Sequence, residues 1–472
     1  MIKRYYAIAD NTISDSFLEG LSTRATGSNA GKADILETFT IYGQTSSSSG
    51  GYSKEKSRIL IKFDLDQVKS DRDSGTVPTN ASYFIRMYNA SHSETLPSGY
   101  SLEICQLGED WQEGVGTDLQ ERKDLTYDVL GSNWIKRSGS TSWSTQGGHI
   151  TGDPIAVSLP NGNENIEVDV TAMISGWLSN NYGALIRVSS SLEAQSVSYY
   201  TKRFYGRGTD RHFDRPVLEA RWDDSKRDDR GNFYTSSSLA PAVDNLNTLY
   251  LYNYVRGRLT NIPSIGTGEI YVSLYSTLGS TEETLCLNTP ATGGYVSTGI
   301  YSCSVCINTT STTLYDVWHS GAFQYHTGTV LAKSLSSYDY VDTNKYVLSV
   351  PNRQVEYHSD QVHRIRVYAR TKNWSPNIYT TATTVPNSLV FNSASYQIYR
   401  IIDDRVVVPY NTGSTQATRL SYDVSGNYFD LDTSYLEPNY SYGAKFSVYD
   451  PDTGNYEEQP FTYKFRVVKN EY

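Results

Sequence analysis

Apolar residues at every second position are the feature that most narrows what this chain can become. In Ser57-Arg-Ile-Leu-Ile-Lys-Phe63, Ile59, Ile61 and Phe63 alternate with Leu60 and Lys62, as in a strand that turns one face to a core. Further strand-like runs cover residues 81–88, 101–107, 184–188, 248–254, 269–275, 299–307 and 313–318. Others follow at 362–370, 395–402, 405–409, 428–431, 443–449 and 461–467. Tyrosine occurs 40 times and methionine 3 times, so residues that suit a pleated surface outweigh strong helix formers. The fold expected is all-β, and 472 residues exceed what one hydrophobic core serves.

Three regions are expected, at 1–222, 233–357 and 358–472. The first contains one helix signature. Asp169 stands before Val170, Met173, Ile174, Trp177 and Leu178, which fall on one helical stripe. Residues 223–232, Asp-Asp-Ser-Lys-Arg-Asp-Asp-Arg-Gly-Asn, hold no apolar side chain and read as an interdomain linker. Asp403-Asp404 separates two apolar runs in the manner of a hairpin. The architecture expected is a jelly-roll-like N-terminal β-sandwich with one short helix, followed by two immunoglobulin-like β-sandwiches.

Charge and composition set aside several function classes. The net charge is −10 with no basic stripe, so no nucleic-acid partner is expected. The pairs Arg364/Arg366 and Lys202/Arg203 lie in strand-like runs and read as solvated strand faces. No run of 18 apolar residues occurs, so no membrane span is expected. The start, Met1-Ile-Lys-Arg-Tyr-Tyr, lacks the apolar stretch of a cleavable signal peptide.

Candidate chemistry is sparse. The cysteines are Cys105, Cys286, Cys303 and Cys306. Cys303 and Cys306 form a single CxxC, but strand alternation puts them on opposite faces, where they cannot share a zinc ion. Histidines 92, 149, 212, 319, 326, 358 and 363 are scattered, and no G-x-S-x-G elbow presents a serine to one of them. Glu109, Asp110 and Glu113 flank Trp111, a combination that would suit a sugar site if the indole were exposed. Asp64, Asp66, Asp71 and Asp73, and Asp450, Asp452 and Gly454, could offer oxygen ligands to calcium. They read first as turn residues, and neither stretch fits an EF-hand. Asn80, Asn89, Asn308 and Asn439 begin glycosylation triplets, which an Asn- and Ser-rich chain holds by chance. No catalytic, cofactor-binding or metal-binding residue is assigned, and structural calcium stays open.

Several pieces of the first region together resemble the DNRLRE family, a β-sandwich module of surface, cell-wall and phage proteins. Ser57-Arg-Ile-Leu-Ile-Lys-Phe-Asp-Leu65 is similar to its R-L-L-K-F-D-L strand, and Asp110-Trp-Gln-Glu-Gly114 to its W-x-E-G motif. Trp134, Trp143 and Gly147-Gly148 resemble its W…W…PGG stretch, with Gln146 in place of the proline. Residues 169–178 resemble D-V-T…W-L, while 202–207 and 215–222 resemble the closing F-x-S-R…R-P-x-L pair. Regions two and three are similar to immunoglobulin-like modules in structural proteins of marine T4-like tailed bacteriophages. The pieces concerned are Leu314-Tyr-Asp-Val-Trp318, residues 325–329, 366–376 and 420–431, and Leu436-Glu-Pro-Asn-Tyr440.

The resemblance implies a non-enzymatic virion protein of the neck, tail periphery, fibre or capsid surface, assembled in the host cytoplasm. Its partners would be other virion proteins and further copies of itself. Strand edges and tyrosine-rich faces suit such work, and a ten-residue spacer would let the modules reach several neighbours. A glycan-binding or adhesion module of a cell-surface protein is the alternative.

Overall fold

The first strand of the chain serves two sheets. In the computed structural model β1 (Ile2–Ser14) pairs antiparallel through residues 2–6 with β12 (Val217–Arg221), and from Ala7 onward with β3 (Tyr52–Phe63). The register shifts between Ala7 and Ala9, a bulge of the sort that bends a strand from one sheet into another. The structure describes residues 1–17, 24–46, 52–92, 95–117, 131–334, 346–380 and 388–470. The chain divides into two units, Ile2–Trp222 and Asp223–Tyr472, with Met1 grouped in the second.

Around β1, the N-terminal unit adds β2 (Ile35–Ser46), α1 (Leu65–Asp73), β4 (Ser82–Met87), β5 (Tyr100–Leu107), β6 (Lys136–Ser138) and β7 (Thr141–Ser142). Next come β8 (Ile150–Leu159), β9 (Ile166–Asp169), α2 (Thr171–Ser179), β10 (Ala184–Val188), α3 (Ser190–Ala194) and β11 (Tyr199–Tyr205). The strand path runs β8-β5-β10-β3-β1-β12-β4-β9, with β2 joined to β3 and β11 to β2.

The expected helix is present as α2, with Met173, Ile174 and Trp177 buried. It starts at Thr171, and Asp169 Oδ1 accepts the Thr171 N–H at 2.9 Å. The acidic stretch read as a turn is instead α1. Asp64 caps it by accepting from Gln67 N at 3.1 Å, while Leu65, Val68 and Asp71 face inward.

Alternation in β3 also needed a correction. Ile59, Ile61 and Phe63 are buried as expected, but Leu60 on the other face is buried as well. There Leu60 packs with Ile13, Cys105, Leu107 and Leu185 beneath Trp111, Trp134 and Trp143. Loop-borne tryptophans therefore give this sheet a second apolar layer.

In the second unit the strands are β13 (Phe233–Tyr234), β14 (Asn247–Tyr252), β15 (Tyr254–Val255), β16 (Arg258–Leu259), β17 (Ile270–Tyr275), β18 (Ala291–Ser297), β19 (Ile300–Val305), β20 (Thr313–Ser320) and β21 (Phe323–Lys333). They follow the path β13-β21-β20-β17-β18-β19-β14, with β15 and β16 as a separate hairpin, around a core that includes Leu249, Val272, Tyr301, Leu314 and Trp318.

The last sandwich contains β22 (Tyr346–Ser349), β23 (Glu356–His358), β24 (Val362–Thr371), β25 (Ala394–Arg400), β26 (Arg405–Val408), β27 (Ser421–Asp423), β28 (Gly426–Asp432), β29 (Ser441–Asp450) and β30 (Asn455–Val468). Its sheets are β22-β24-β28-β27 and β23-β30-β29-β25-β26. Tyr396 of β25 stacks on Phe429 of β28 at 4.3 Å between ring centroids, joining the two layers. The chain is thus all-β, a jelly-roll-like sandwich followed by two immunoglobulin-like ones.

Two expectations about the second unit change. The boundary drawn at 357/358 cuts through the last sandwich, because β22 pairs with β24 and β23 pairs with β30. The stretch read as a linker is a fastened strap. Lys226 N donates to Ser421 Oγ at 3.0 Å, Tyr422 N to Lys226 O at 2.9 Å, and Asp228 N to Tyr422 O at 3.1 Å. Asp229 then accepts from the Tyr422 hydroxyl at 2.8 Å and from Thr248 N at 2.7 Å, so one carboxylate holds both sandwiches. Arg230 completes the strap with a bidentate pair to Asp316, both contacts at 2.6 Å, and Trp318 Nε1 donates to the same carboxylate at 2.8 Å. Hydrogen bonds and charge do here what apolar packing does elsewhere.

Asp316 is fully buried, so its loss would strand the Arg230 guanidinium. Asp316→Asn is expected to destabilise this unit by about 3–5 kcal/mol. Urea unfolding followed by tryptophan fluorescence checks it, and a cost below about 1 kcal/mol would mean the pair is not needed.

Candidate functional site

The side chains with the most chemistry on paper are spent on holding loops in place. Trp111 is buried, and its Nε1–H donates to Tyr182 O at 2.9 Å. Lys62 lies 4.9 Å from the centre of the Trp111 ring, donates to Trp111 O at 2.9 Å, and pairs with Asp110. Glu109 binds the backbone N–H and hydroxyl of Ser144. Glu113 takes a bidentate grip from Arg207, at 2.5 and 2.6 Å, and accepts Asp10 N at 2.9 Å. The three acids around Trp111 therefore go to three separate structural jobs, and the indole face is not open to a sugar.

The same convergence explains the two glycines after Trp143. Arg58 donates to Gly147 O at 2.8 Å, pairs with Glu193 at 2.6 and 3.1 Å, and sits 5.0 Å from the Trp134 ring centre. Gly147 and Gly148 have φ of +80° and +101°, which favour glycine. A Cβ on Gly148 would come within 2.5 Å of Leu185 Cδ1.

Sequence reasoning missed the polar residues that organise these loops. Asn29 is fully buried. Its Nδ2 donates to Glu113 O and Ser132 O, both at 2.7 Å, and its Oδ1 accepts from Gly31 N and Gly116 N. Asn11 does the same between Ala30 and Ser132. Asparagines carry no periodic signal, so only burial reveals them. Lys202, expected on a solvated face, is also fully buried, which is affordable because Asn89 Oδ1 and Gly162 O accept from its amine at 2.7 and 3.0 Å. Burial brings its pKa down to about 8.

Two further groups have distinctive electrostatics. Glu219 is fully buried among Arg4 at 2.8 Å, Arg86 at 2.9 Å and Arg221 at 2.6 Å. Burial alone would raise its pKa, but the three cations hold it far below the ordinary carboxylate range. Asp10, also buried, is pushed up to about 7 by desolvation and by the nearby Glu113, against the pull of the Arg207 N–H bond.

Outside the N-terminal unit several histidines and acids are likewise engaged. Ser273 Oγ is 2.9 Å from His319 Nε2, but the serine is buried on β17 and not raised on an elbow. His363 packs on Tyr357 at 4.7 Å, and burial with the neighbouring His358 lowers its pKa. Asp450 accepts from Asp452 N and from the Thr453 hydroxyl, both at 2.9 Å, within the turn between β29 and β30. Within the N-terminal unit, Asp71 is taken by Tyr5, Lys3 and Gln67. Among the described residues no three His, Cys, Asp or Glu side chains gather as a metal site.

What remains is surface. The loop after β24 carries Trp374, Ile378 and Tyr379 at 55%, 91% and 85% exposure, while the other six tryptophans are buried. Asn377 shapes this tip, because its Oδ1 accepts Tyr379 N at 2.9 Å and its own N–H donates to Thr380 Oγ1 at 2.8 Å. Three large apolar side chains in six residues of loop constitute the clearest candidate contact site.

A pH test follows from Asp10. Its pKa in the folded chain lies above the ordinary 3.8, so the fold binds this proton more tightly than the unfolded chain does. Stability from this group is full below about pH 4 and is lost as pH rises through about 7, by up to roughly 4 kcal/mol. Asp10→Asn keeps an oxygen for the Arg207 N–H and should remove that slope. Equal pH dependence in wild type and variant, by chemical denaturation at pH 5 and pH 8, would rule it out.

No protein-family model matches the chain, and no curated protein matches it. Among solved structures, the chain is similar to the Yersinia pseudotuberculosis adhesin InvE at 12% identity and a TM-score of 0.16, over 47% of this chain and 54% of that one. It is similar to a marsupial T cell receptor at 10% identity and a TM-score of 0.16, over 51% and 70%. The pair DIP-gamma IG1+IG2 gives 10% and 0.13, over 48% and 90%. The chain spans about half the length of the adhesin, and likenesses this distant carry no functional argument.

Proposed function

We propose that the chain is a structural subunit of a tailed-bacteriophage virion and acts by protein–protein assembly. The observation that carries the reading is the contrast between the two kinds of residue just described. Acids, cations and indoles that could have formed a reactive cleft are locked into loop-holding contacts, while Trp374, Ile378 and Tyr379 stand exposed just after β24. Aromatic anchors of this kind dominate contact energies between proteins. The resemblance of the N-terminal unit to a module of phage and surface proteins supports the same reading, and its separate motif pieces meet in space. Arg58 reaches Trp134 and Gly147, Lys62 reaches Trp111, and Arg207 reaches Glu113. The partners are other virion proteins and further copies of the chain, assembled in the host cytoplasm.

A second reading, glycan binding, is favoured by one feature. Tyr199 is 60% exposed and stacks on Tyr200 at 5.0 Å, an aromatic face open to a sugar ring.

The test is mass spectrometry of purified particles with chemical cross-linking. The chain is expected in particles at stoichiometric abundance, with cross-links to other particle proteins. The triple variant Trp374→Ala, Ile378→Ala, Tyr379→Ala is expected to fold with a Tm within about 2 °C of wild type and to be depleted from particles at least tenfold. Absence of the wild-type chain from particles, together with glycan retention abolished by Tyr199→Ala, would favour the second reading.

A further inference from the structure

The four cysteines are reduced, and they are not equivalent. Cys105 is buried in the N-terminal unit. Cys303 faces the core of the middle sandwich beside Tyr301, Val305 and Ile307, and burial pushes its thiol up to about 12. Cys306 is on the opposite side of the same segment and lies outside that core cluster.

Opposite Cys306 stands the exposed Cys286. Leu285 forms an isolated antiparallel bridge with Ile307, which sets residue 286 directly across from residue 306. Cys286 N–H donates to Cys306 C=O at 2.9 Å. Ser236 Oγ lies 3.3 Å from Cys286 Sγ. Directly opposed residues of antiparallel strands hold their Cβ atoms about 4.5–5.5 Å apart. Their hydrogen-bonded pairing sets them at the wider end of that range, and a disulfide needs about 3.5–4.5 Å, so closure takes an inward movement of about 1 Å.

We propose that Cys286 and Cys306 form a reversible disulfide that staples the segment between β17 and β18 to the end of β19. The reaction needs an oxidant, and a low-molecular-weight disulfide supplies it. The Cys286 thiolate attacks one sulfur of that molecule, releases one small thiol, and becomes a mixed disulfide. Cys306 then loses its proton to water and attacks the Cys286 sulfur, and the second small thiol departs. The protein gives up two electrons and two protons, and the small disulfide is reduced to two thiols.

The order of events follows from exposure. Cys286 is open to solvent, whereas Cys306 is 1% exposed with its pKa at about 11, held there by burial and by the Cys286 thiol. Cys306 is therefore protected from reagents in solution and reacts with the one sulfur already beside it. A thiol pair of this kind stays open in a reducing compartment and closes in an oxidising one. The inference stands on the strand geometry and does not rest on the assembly reading.

The experiment uses the full chain incubated with oxidised glutathione at pH 8, then alkylated under denaturing conditions and mapped by mass spectrometry. Free thiols are expected to fall from four to two, with a peptide linking Cys286 to Cys306 that dithiothreitol reverses. Cys306→Ser should trap glutathione on Cys286, because no second thiol resolves it. Cys286→Ser should keep all its remaining thiols free. Four free thiols in oxidised wild type, a persistent glutathione adduct on wild-type Cys286, or a linkage through Cys303 would each overturn the proposal.

Discussion

The N-terminal unit depends on one strand belonging to two sheets. Because β1 pairs with β12 through Tyr6 and with β3 from Ala7, both layers of the sandwich share one backbone, and the bulge at Ala7–Ala9 is the corner between them. A corner is vulnerable, because its ladder is interrupted and backbone groups must find other partners. Ala7 N donates to Pro216 O at 3.1 Å, so β12 still holds the strand as it turns. Arg4, just before the corner, reaches the buried Glu219 opposite it on β12, and Arg86 of β4 and Arg221 share the same carboxylate. Charges taken out of water in this way are tolerable only when each meets its counterpart. The cluster adds specificity of register more than net stability, since a slip by one residue would face arginines with apolar side chains.

Period-two alternation was legible because it follows from backbone geometry. Ser82–Met87 and Asn247–Tyr252, where buried and half-buried positions alternate, needed nothing beyond their own sequence. Where reading failed, the missing information was tertiary. Alternation says that Leu60 points away from Ile59, but not that tryptophans fifty to eighty residues later will cover it. Helix α1 offered Leu65 and Val68 at helical spacing, masked by an acid, Asp71, that is buried because Tyr5 and Lys3 complete it. The exposed residues at Trp374 were not legible, because tryptophan gives the same signal whether it packs or projects.

The strap at 226–232 shows how far an absence of apolar residues can mislead. Composition without hydrophobic side chains describes a flexible spacer equally well as a segment held by charge. Here Asp229 accepts one donor from each of the two sandwiches, and Arg230 inserts its guanidinium against the buried Asp316. Asp228, pushed up to about 6 by burial and the neighbouring acids, precedes them in the strap. Nothing in the run of charges distinguishes these partners from solvent.

This fastening alters the physics of any contact the second unit makes. A loose spacer would give each sandwich its own search volume, and avidity would depend on effective concentration. With the strap in place, the middle and last sandwiches meet a partner as one body, and no ordering entropy is lost between them on binding. Just after β24, Asn377 holds the turn that carries Ile378 and Tyr379.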